Sequence, residues 1–369
     1  MTLVLCVILV ALVFEYVNGF HDTANAIATS ISTKVLTPLQ AIVLSTICNL
    51  VGALIGVAVA KTVGQGLVDI KIMTLTALLC ALLGAIIWNL ITWWVGLPSS
   101  SSHALFGALC GAALASAHGQ WSAIIWYQNT AVDPVTHEVV KLGFLKSQGL
   151  WPKVIFPMIA APVCGFLIGF LLMGLLYVLL RNWKPRHVNL LFGKVQILSA
   201  AWMSIGHGMN DAQKTMGILA LTLFTATTKG DAFAHLPSWL GFLYLPKFEI
   251  PFWIKLACGL TMAAGTAAGG WRIIKTLGSQ MVKLQPVHGF SAQTTAAVII
   301  ESASHFGIPL STTHVISSAI MGVGASKRLN AVKWSVAERM VWAWIMTLPV
   351  TAVLSYLLMS IVQWARLAP

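Results

Sequence analysis

Two polar motifs that pair an aspartate with an asparagine lie next to long apolar stretches of this 369-residue chain. Asp22 and Asn25 are three residues apart, so on a helix they share one face. A carboxylate and an amide oxygen suit Na⁺, and a carboxyl group can also carry a proton. Asn210 and Asp211 repeat these residue types later in the chain. If the two Asp/Asn pairs are not ion ligands, their alternative role is a helix cap or an interhelical polar pair. We predict a cation site at Asp22, Asn25, Asn210 and Asp211.

Two runs of hydroxyl residues follow Pro98 and Pro309. Proline cannot continue a preceding helix but is tolerated near the start of a new one, where Ser and Thr favour the N-cap. Each run should therefore open a half-helix whose free N–H groups and hydroxyls form an anion cradle. Two cradles from opposite sides could hold one tetrahedral oxyanion. The countercharge would come from a co-bound cation rather than from a basic side chain. The alternative role of these Ser and Thr residues is tight helix packing. The predicted anion-binding residues are Ser99, Ser100, Ser101, Ser102, Ser311, Thr312 and Thr313, with Asp22 and Asp211 as acceptors beside them.

Other polar residues in apolar surroundings are candidates for accessory roles. Lys214 is expected either to pair with Asp211 or to extend towards the membrane surface. Four histidines flank the motifs and could relay protons or hold the helices in place: His21, His103, His207 and His314. Four further residues could line the site or join helices: Gln293, Glu301, Asn49 and Asn89. We expect Glu15 and the six cysteines to be structural.

The composition indicates an all-α polytopic membrane protein. The chain is 58% hydrophobic and only 9% charged, whereas a soluble domain has about 25% charged residues. This excludes a cytosolic enzyme and a disordered chain. The net charge of +12 does not indicate a nucleic-acid partner, because the basic residues are dispersed between apolar runs.

About ten apolar runs could span or enter a membrane, and none shows the alternation of a β-barrel strand. They are 2–18, 38–60, 72–95, 104–117, 153–180, 192–225, 252–271, 288–306, 309–325 and 338–362. The first run has no basic n-region and continues to Glu15, so we expect a first membrane helix rather than a signal peptide. With two re-entrant hairpins, the chain should have 10 to 12 membrane segments.

The charge distribution predicts the topology. By the positive-inside rule, the basic segments 181–194, 272–283 and 327–339 should face the cytoplasm. The loops 61–71, 118–152 and 226–250 should then lie outside, together with both termini. Five acids fall in those outside loops: Asp69, Asp133, Glu138, Asp231 and Glu249.

The chain repeats its motifs. Residues 96–103 match residues 307–314 at an offset of 211, and the Asp/Asn motif at 19–26 matches 206–212 at an offset of 186 for the flanking His and Ala. The same order in halves of opposite predicted orientation is typical of an inverted-repeat transporter. We predict a first repeat over 1–180, a basic cytoplasmic linker over 181–194 and a second repeat over 195–369, with broken helices and hairpins at the hydroxyl runs.

These motifs resemble those of the inorganic phosphate transporter (PiT) family, over about residues 14–355. The resemblance implies an inverted-repeat fold with two hairpins, a central phosphate site in the two hydroxyl runs and a cation site at the Asp/Asn pairs. The family often has an acidic residue where Gln293 aligns, and whether Glu301 substitutes for it stays open. The long central hydrophilic loop of many members is absent.

The leading hypothesis is a non-enzymatic symporter of inorganic phosphate, coupled to Na⁺ or H⁺, working by alternating access in a bacterial cytoplasmic membrane. Sulfate or another tetrahedral oxyanion is the alternative substrate. An intramembrane hydrolase with a serine nucleophile is disfavoured, because the run lacks nucleophile-elbow glycines and is duplicated. A passive channel is a third class. Expected partners are phosphate, the coupling cation and the lipid bilayer. No cofactor is expected, and a homo-oligomer is left open.

Overall fold

A computed structural model describes residues 1–132, 139–229, 233 and 237–365, and these ranges are almost entirely helical. The predicted outside acids Asp133, Glu138 and Asp231 lie outside the described residues. The first set of helices is α1 (Thr2–Ser32), α2 (Pro38–Ala53), α3 (Ala58–Gln65), α4 (Leu75–Val95), α5 (Ser101–Ser116) and α6 (Phe156–Leu179). The second set is α7 (Pro185–Lys229), α8 (Phe252–Ala268), α9 (Trp271–Lys275), α10 (Pro286–His305), α11 (Thr312–Lys327) and α12 (Trp334–Trp364).

The two sets repeat one pattern of breaks. A long first helix is followed by a medium helix and a short one, separated at a glycine with positive φ: Gly56 at 74° and Gly269 at 72°. A helical hairpin follows in each set, α4–α5 and α10–α11, and then a long helix with an internal proline, Pro162 in α6 and Pro349 in α12. This six-plus-six arrangement agrees with the predicted repeat.

Both sets contain helices that are long enough to span a membrane. Five described helices are long and apolar enough to cross a membrane: α1, α4, α6 with the π-helical turn Trp151–Ile155 before it, α7 and α12. The α2–α3 pair, bent by 71°, makes a sixth if it is one span. The chain is therefore a polytopic all-α membrane protein. Two short antiparallel strands, β1 (Thr130–Val132) and β2 (Val139–Lys141), lie in the segment between α5 and α6.

Two details differ from the sequence analysis. The apolar run of the first helix ends near Asn18, yet α1 continues unbroken through the polar motif to Ser32, because local helix geometry tolerates buried polar side chains that find partners on neighbouring helices. The predicted linker 181–194 is helical from Pro185, so only a short turn separates α6 from α7. The division into repeats with a linker at 181–194 otherwise stays a prediction.

Two apolar cores flank the middle of the molecule. One contains the early part of α1 (Val4 to Val17), α4, α5 and the later part of α7, and the other contains Ala24 to Ala28 of α1 together with α10 and α11. The hairpins are held by exchanged partners, since α5 packs on α12 and α11 packs on α6. Both Asp/Asn motifs lie where α1 and α7 pass from one core to the other.

Candidate functional site

The tips of the two hairpins have the same backbone design. Gly96 (φ 70°) and Gly307 (φ 61°) adopt a left-handed conformation that ends the first helix of each hairpin, and a proline follows two residues later. Ser100 and Ser311 then cap α5 and α11, accepting hydrogen bonds from N–H groups three residues ahead at 3.1 and 3.3 Å. The sequence prediction that both hydroxyl runs open helices agrees with this geometry. Apart from these two capped groups, the first-turn N–H groups have no acceptor within their own helix.

The aspartates of α1 and α7 each meet one hydroxyl run. Asp22 Oδ2 accepts a hydrogen bond from Ser101 Oγ at 2.6 Å, and Asp211 Oδ2 accepts one from Thr312 Oγ1 at 2.9 Å. Ser101 and Thr312 are 211 residues apart, the offset of the hydroxyl runs. The two aspartates therefore occupy equivalent places, which corrects the offset of their motifs from 186 to 189.

With that corrected offset, Lys214 is the counterpart of Asn25, and each donates to the hydroxyl run of the other half. Asn25 Nδ2 donates to Thr313 Oγ1 at 2.9 Å, and Lys214 Nζ donates to Ser102 Oγ at 2.5 Å. Lys214 also forms a buried ion pair with Asp211. The ion-pair alternative of the sequence analysis agrees with the structure. A fixed cation thus does lie at the cradle, contrary to our expectation, because a lysine in helical register with Asp211 is held inward by that carboxylate.

Three side chains could together hold a cation. Ligand atoms of Asp22, His207 and Asp211 lie within 4.8 Å of one another, and all three residues are buried. His207 Nδ1 lies 3.1 Å from the amide oxygen of Asn49, which only accepts, so Nδ1 carries the proton. His207 Nε2 lies 3.1 Å from Asp211 Oδ2, where a doubly protonated ring would form an ion pair. In the neutral ring, Nε2 and the carboxylate oxygen are both acceptors, and a cation bound to both atoms would relieve their repulsion.

Two amide oxygens are further candidate ligands for a cation. Asn25 Oδ1 and Asn210 Oδ1 are buried, and neither receives a hydrogen bond from the described part of the chain. The Asn210 amide nitrogen donates to Ser304 Oγ at 2.7 Å, which fixes that side chain. Oxygen ligands of this kind suit a hard cation.

The four flanking histidines form different contacts. His21 Nδ1 donates to Asp22 Oδ1 at 2.7 Å, so this histidine orients the carboxylate. His207 joins the cation cluster described above. His103 and His314 face each other edge to face at 4.7 Å, and His314 stacks on Trp344 at 4.2 Å. This last pair therefore packs the starts of α5 and α11 together.

Serine 99 lies slightly apart from the other hydroxyls of its run. Its Oγ donates to Thr92 Oγ1 at 2.8 Å and lies 3.5 Å from His21 Nε2. Ser100 and Ser311 cap the helices, and the other four members contact Asp22, Asn25, Asp211 or Lys214 directly: Ser101, Ser102, Thr312 and Thr313. Four of the seven predicted hydroxyl residues thus come together with the Asp/Asn motifs.

Gln293 and Glu301 both fall outside that cluster. Gln293 is buried and joins three helices: its Oε1 accepts from Ser199 at 2.9 Å, and its Nε2 donates to Ala26 O at 3.1 Å. Glu301 is exposed and accepts a hydrogen bond from Trp202 Nε1 at 2.8 Å. Glu301 therefore does not supply the acidic group that the family often has at the Gln293 position.

Sequence reasoning missed Asn18 and did not separate Asn49 from Asn89. Asn18 Oδ1 lies 2.7 Å from Ser101 Oγ and competes with Asp22 for its single hydroxyl hydrogen. Helical spacing could have found Asn18, since it lies four residues before Asp22. Asn49 orients His207, whereas the buried side chain of Asn89 has no partner among the described residues. Glu15 is buried and accepts from Thr215 Oγ1, a structural contact as expected.

Each hairpin tip is also tied down by a threonine. Thr276 Oγ1 donates to Gly96 O and Thr62 Oγ1 donates to Gly307 O, both at 2.8 Å. A basic side chain reinforces each tie: Arg272 donates to Trp94 O, and Lys153 donates to Phe306 O. All the predicted ion-binding residues are at most 4% exposed, so the site is closed to solvent in this structure.

Comparisons with known proteins point to one family. The phosphate transporter family matches residues 18–355. The chain is 42% identical to a probable low-affinity inorganic phosphate transporter of Bacillus subtilis over 95% of both chains. It is 41% identical to a protein of the same name from Rhizobium meliloti, over 95% of this chain and 93% of that one.

A solved structure shares the fold. The structure described as the sodium-dependent phosphate transporter superposes with a TM-score of 0.78 at 22% identity, covering 99% of this chain and 100% of that one. The motif-based resemblance is confirmed, and the hydrolase alternative is not supported. Because the family match covers most of the chain and the relatives align over nearly their whole length, the protein belongs to the phosphate transporter family.

Proposed function

We propose that the protein is a cation-coupled symporter that carries inorganic phosphate across the cytoplasmic membrane of a bacterium. The coupling ion is Na⁺ or H⁺, bound at the cluster of Asp22, His207 and Asp211. Phosphate binds to the hydroxyls and first-turn N–H groups of α5 and α11. The observation that carries the proposal is that the carboxyl groups of Asp22 and Asp211 lie 2.6 and 2.9 Å from hydroxyl groups of the two cradles.

Charge explains why the two ions would move together. With His207 and the buried Glu15 taken as neutral, Asp22 and Asp211 contribute two negative charges to the buried site, and Lys214 contributes one positive charge. The resulting net charge of −1 opposes the entry of an anion into a low-dielectric interior. A bound monovalent cation removes that charge, so cation binding raises phosphate affinity, and linkage requires the reverse effect as well.

Alternating access would use the two threonine ties. The Thr276–Gly96 bond holds the α4–α5 tip, and the Thr62–Gly307 bond holds the α10–α11 tip. Release of one tip at a time would open the site to one side while the other stays closed. Lys and Arg in 272–283 and 327–339 favour the cytoplasmic face for those segments, and both termini would then lie outside.

Phosphate is favoured over sulfate by hydrogen-bond chemistry. Protonated phosphate donates hydrogen bonds, whereas sulfate only accepts them. Asp22 and Asp211 are acidic acceptors directly beside the hydroxyls, and they would repel a pure acceptor. Uptake of labelled phosphate in proteoliposomes should persist with sulfate in large excess; strong competition by sulfate would favour the alternative substrate.

Carboxylate neutralisation tests the ion site. Asp22→Asn or Asp211→Asn should abolish phosphate accumulation against a gradient while the purified protein remains monodisperse. Glu301→Gln is the matched control, since it makes the same chemical change at an exposed carboxylate outside the cluster. Full concentrative uptake in both aspartate variants would overturn the site assignment.

A further inference from the structure

The hydrogen bonds around the site define a pseudo-symmetry between the halves. Asp22 pairs with Ser101 and Asp211 pairs with Thr312, and in each case the hydroxyl belongs to the same half as the aspartate. One turn further along each helix, Asn25 and Lys214 reach the hydroxyl run of the opposite half. Asn25 and Lys214 therefore occupy the same place in the two halves.

The two counterparts differ in what they offer a mobile ion. Asn25 keeps Oδ1 free of any hydrogen bond from the described residues, and this buried oxygen is a hard ligand next to the Asp22 half of the site. Lys214 has no acceptor atom, and its ammonium donates to Asp211, to Ser102 and to Leu310 O at 2.8 Å. All three donor positions of the ammonium are thus used.

Lys214 consequently stands where a second cation would bind. Its ammonium contacts a carboxylate, a hydroxyl and a main-chain carbonyl, which are the oxygen ligands that a bound alkali cation would take. The residue is 2% exposed and is held on three sides, so it does not exchange with solvent in this closed structure. A tethered charge of this kind is present through the whole transport cycle.

We propose that Lys214 is a built-in cation. It fills the half-site at Asp211, which is the pseudo-symmetric counterpart of the half-site formed by Asp22 and Asn25. The protein therefore couples one exchangeable monovalent cation, rather than two, to each phosphate. The inference rests on the proposed symport. With Lys214 in place, one mobile cation neutralises Asp22 and Asp211 together with the ammonium; with a neutral amide at 214, two mobile cations are needed.

The number of coupled cations can be measured directly. Purified protein is reconstituted into liposomes, the membrane potential is held at zero with potassium and valinomycin, and Na⁺ or H⁺ gradients of increasing size are imposed. At steady state, with equal pH on both sides, the slope of log phosphate accumulation against log Na⁺ gradient equals that number. With a H⁺ gradient, the accumulation is calculated for one ionic form of phosphate and the protons that this form carries are counted, because the protonation of phosphate differs on the two sides. For a tenfold gradient, one cation supports about tenfold accumulation and two support about 100-fold.

Three variants test the assignment. Wild type should give a slope of one, and Lys214→Asn, which restores the Asn25 chemistry at the equivalent place, should give a slope of two. Asn25→Lys should lose gradient-driven accumulation, because both half-sites then carry tethered cations. The double swap of Asn25→Lys with Lys214→Asn should return the slope to one.

Each other result contradicts the inference. A slope of two in the wild type, or a slope of one in Lys214→Asn, would overturn it. If a folded Lys214→Asn protein fails to transport phosphate at every cation concentration tested, the inference is also overturned, because an added cation should replace the ammonium. If Lys214→Asn does not fold, the wild-type slope decides alone. Absence of wild-type accumulation under either gradient would instead refute the proposed symport.

Discussion

Replacing Asn49 with alanine should weaken cation binding, although Asn49 itself is not one of the proposed ion ligands. Asn49 lies on α2, and its amide oxygen accepts from His207 Nδ1 at 3.1 Å. Its amide nitrogen donates to Thr266 on α8 at 3.0 Å, so the side chain is fixed from both ends. The bond to Asn49 sets which His207 nitrogen carries the proton. Without it, the lone pair on Nε2 is no longer directed towards the carboxylates.

The expected magnitude follows from that role. Loss of an outer partner of a ligating histidine typically reduces metal affinity by about 10- to 100-fold. That range corresponds to about 1.4–2.7 kcal/mol of cation binding free energy. The side chain of Asn49 contacts no member of the hydroxyl runs, so phosphate affinity at saturating cation should stay nearly unchanged.

The assay is initial phosphate uptake in proteoliposomes as a function of the driving cation. Asn49→Ala should raise the cation concentration for half-maximal uptake about 10- to 100-fold and leave the maximal rate close to that of the wild type. Asn89→Ala is the matched control, because Asn89 is an equally buried membrane amide whose side chain has no partner among the described residues.

An unchanged cation dependence in Asn49→Ala would refute the assignment of His207 as a cation ligand. An equal shift in Asn89→Ala would refute the reasoning in a different way, since it would show that any buried amide deletion disturbs the site. A loss of phosphate affinity alone would place Asn49 at the anion cradle.

Three further predictions concern the hairpins and the cradle. Thr276→Val and Thr62→Val should each break one tie of 2.8 Å and raise the accessibility of the site from one side only, measured by uptake inhibition with a membrane-impermeant cysteine reagent in single-cysteine variants. Gly111→Ala should lower the thermal stability of the purified protein, because its Cβ would lie 1.9 Å from Ala352 O, and overpacking of this kind costs about 1–3 kcal/mol. Ser101→Ala should raise the phosphate concentration for half-maximal uptake by about tenfold or more, since a hydrogen bond to a charged group is worth about 1.5–3 kcal/mol.

Each of these has its own control. The two threonine variants control for each other, and exposure from the same side in both would contradict the two-gate scheme. Gly174→Ala, where an added Cβ meets nothing within 4 Å, should leave the melting temperature unchanged. Unaltered phosphate dependence in Ser101→Ala would remove that hydroxyl from the anion site.

The sequence was sufficient to predict the parts of the site that depend on residue type and local spacing. Aspartates in apolar surroundings and hydroxyl runs after proline indicate ion ligands and helix starts, because such residues are costly at membrane depth unless they have a function. The helical hairpins follow from the same signals. The breaks between α2 and α3 and between α8 and α9 were not predicted, because 38–60 and 252–271 are each one apolar run.

Contacts between distant helices were not predictable in this way. The apolar flanks of Glu301 do not show which face of α10 it lies on, and the structure places it on the exposed face beside Trp202. The bond from Lys214 to Ser102 joins residues of opposite halves, so it depends on packing rather than on spacing. The offset of the Asp motifs was set wrongly because their histidines, His21 and His207, are not equivalent in space.

The central claim is that phosphate movement is driven by a cation gradient through the Asp22–Asp211 site. The most direct test is phosphate uptake by proteoliposomes containing the purified wild-type protein, with Na⁺ and H⁺ gradients imposed separately at zero membrane potential. We predict accumulation above the external phosphate concentration under one of the two gradients, and its collapse when an ionophore dissipates that gradient. Mere equilibration of phosphate under both gradients would contradict the account.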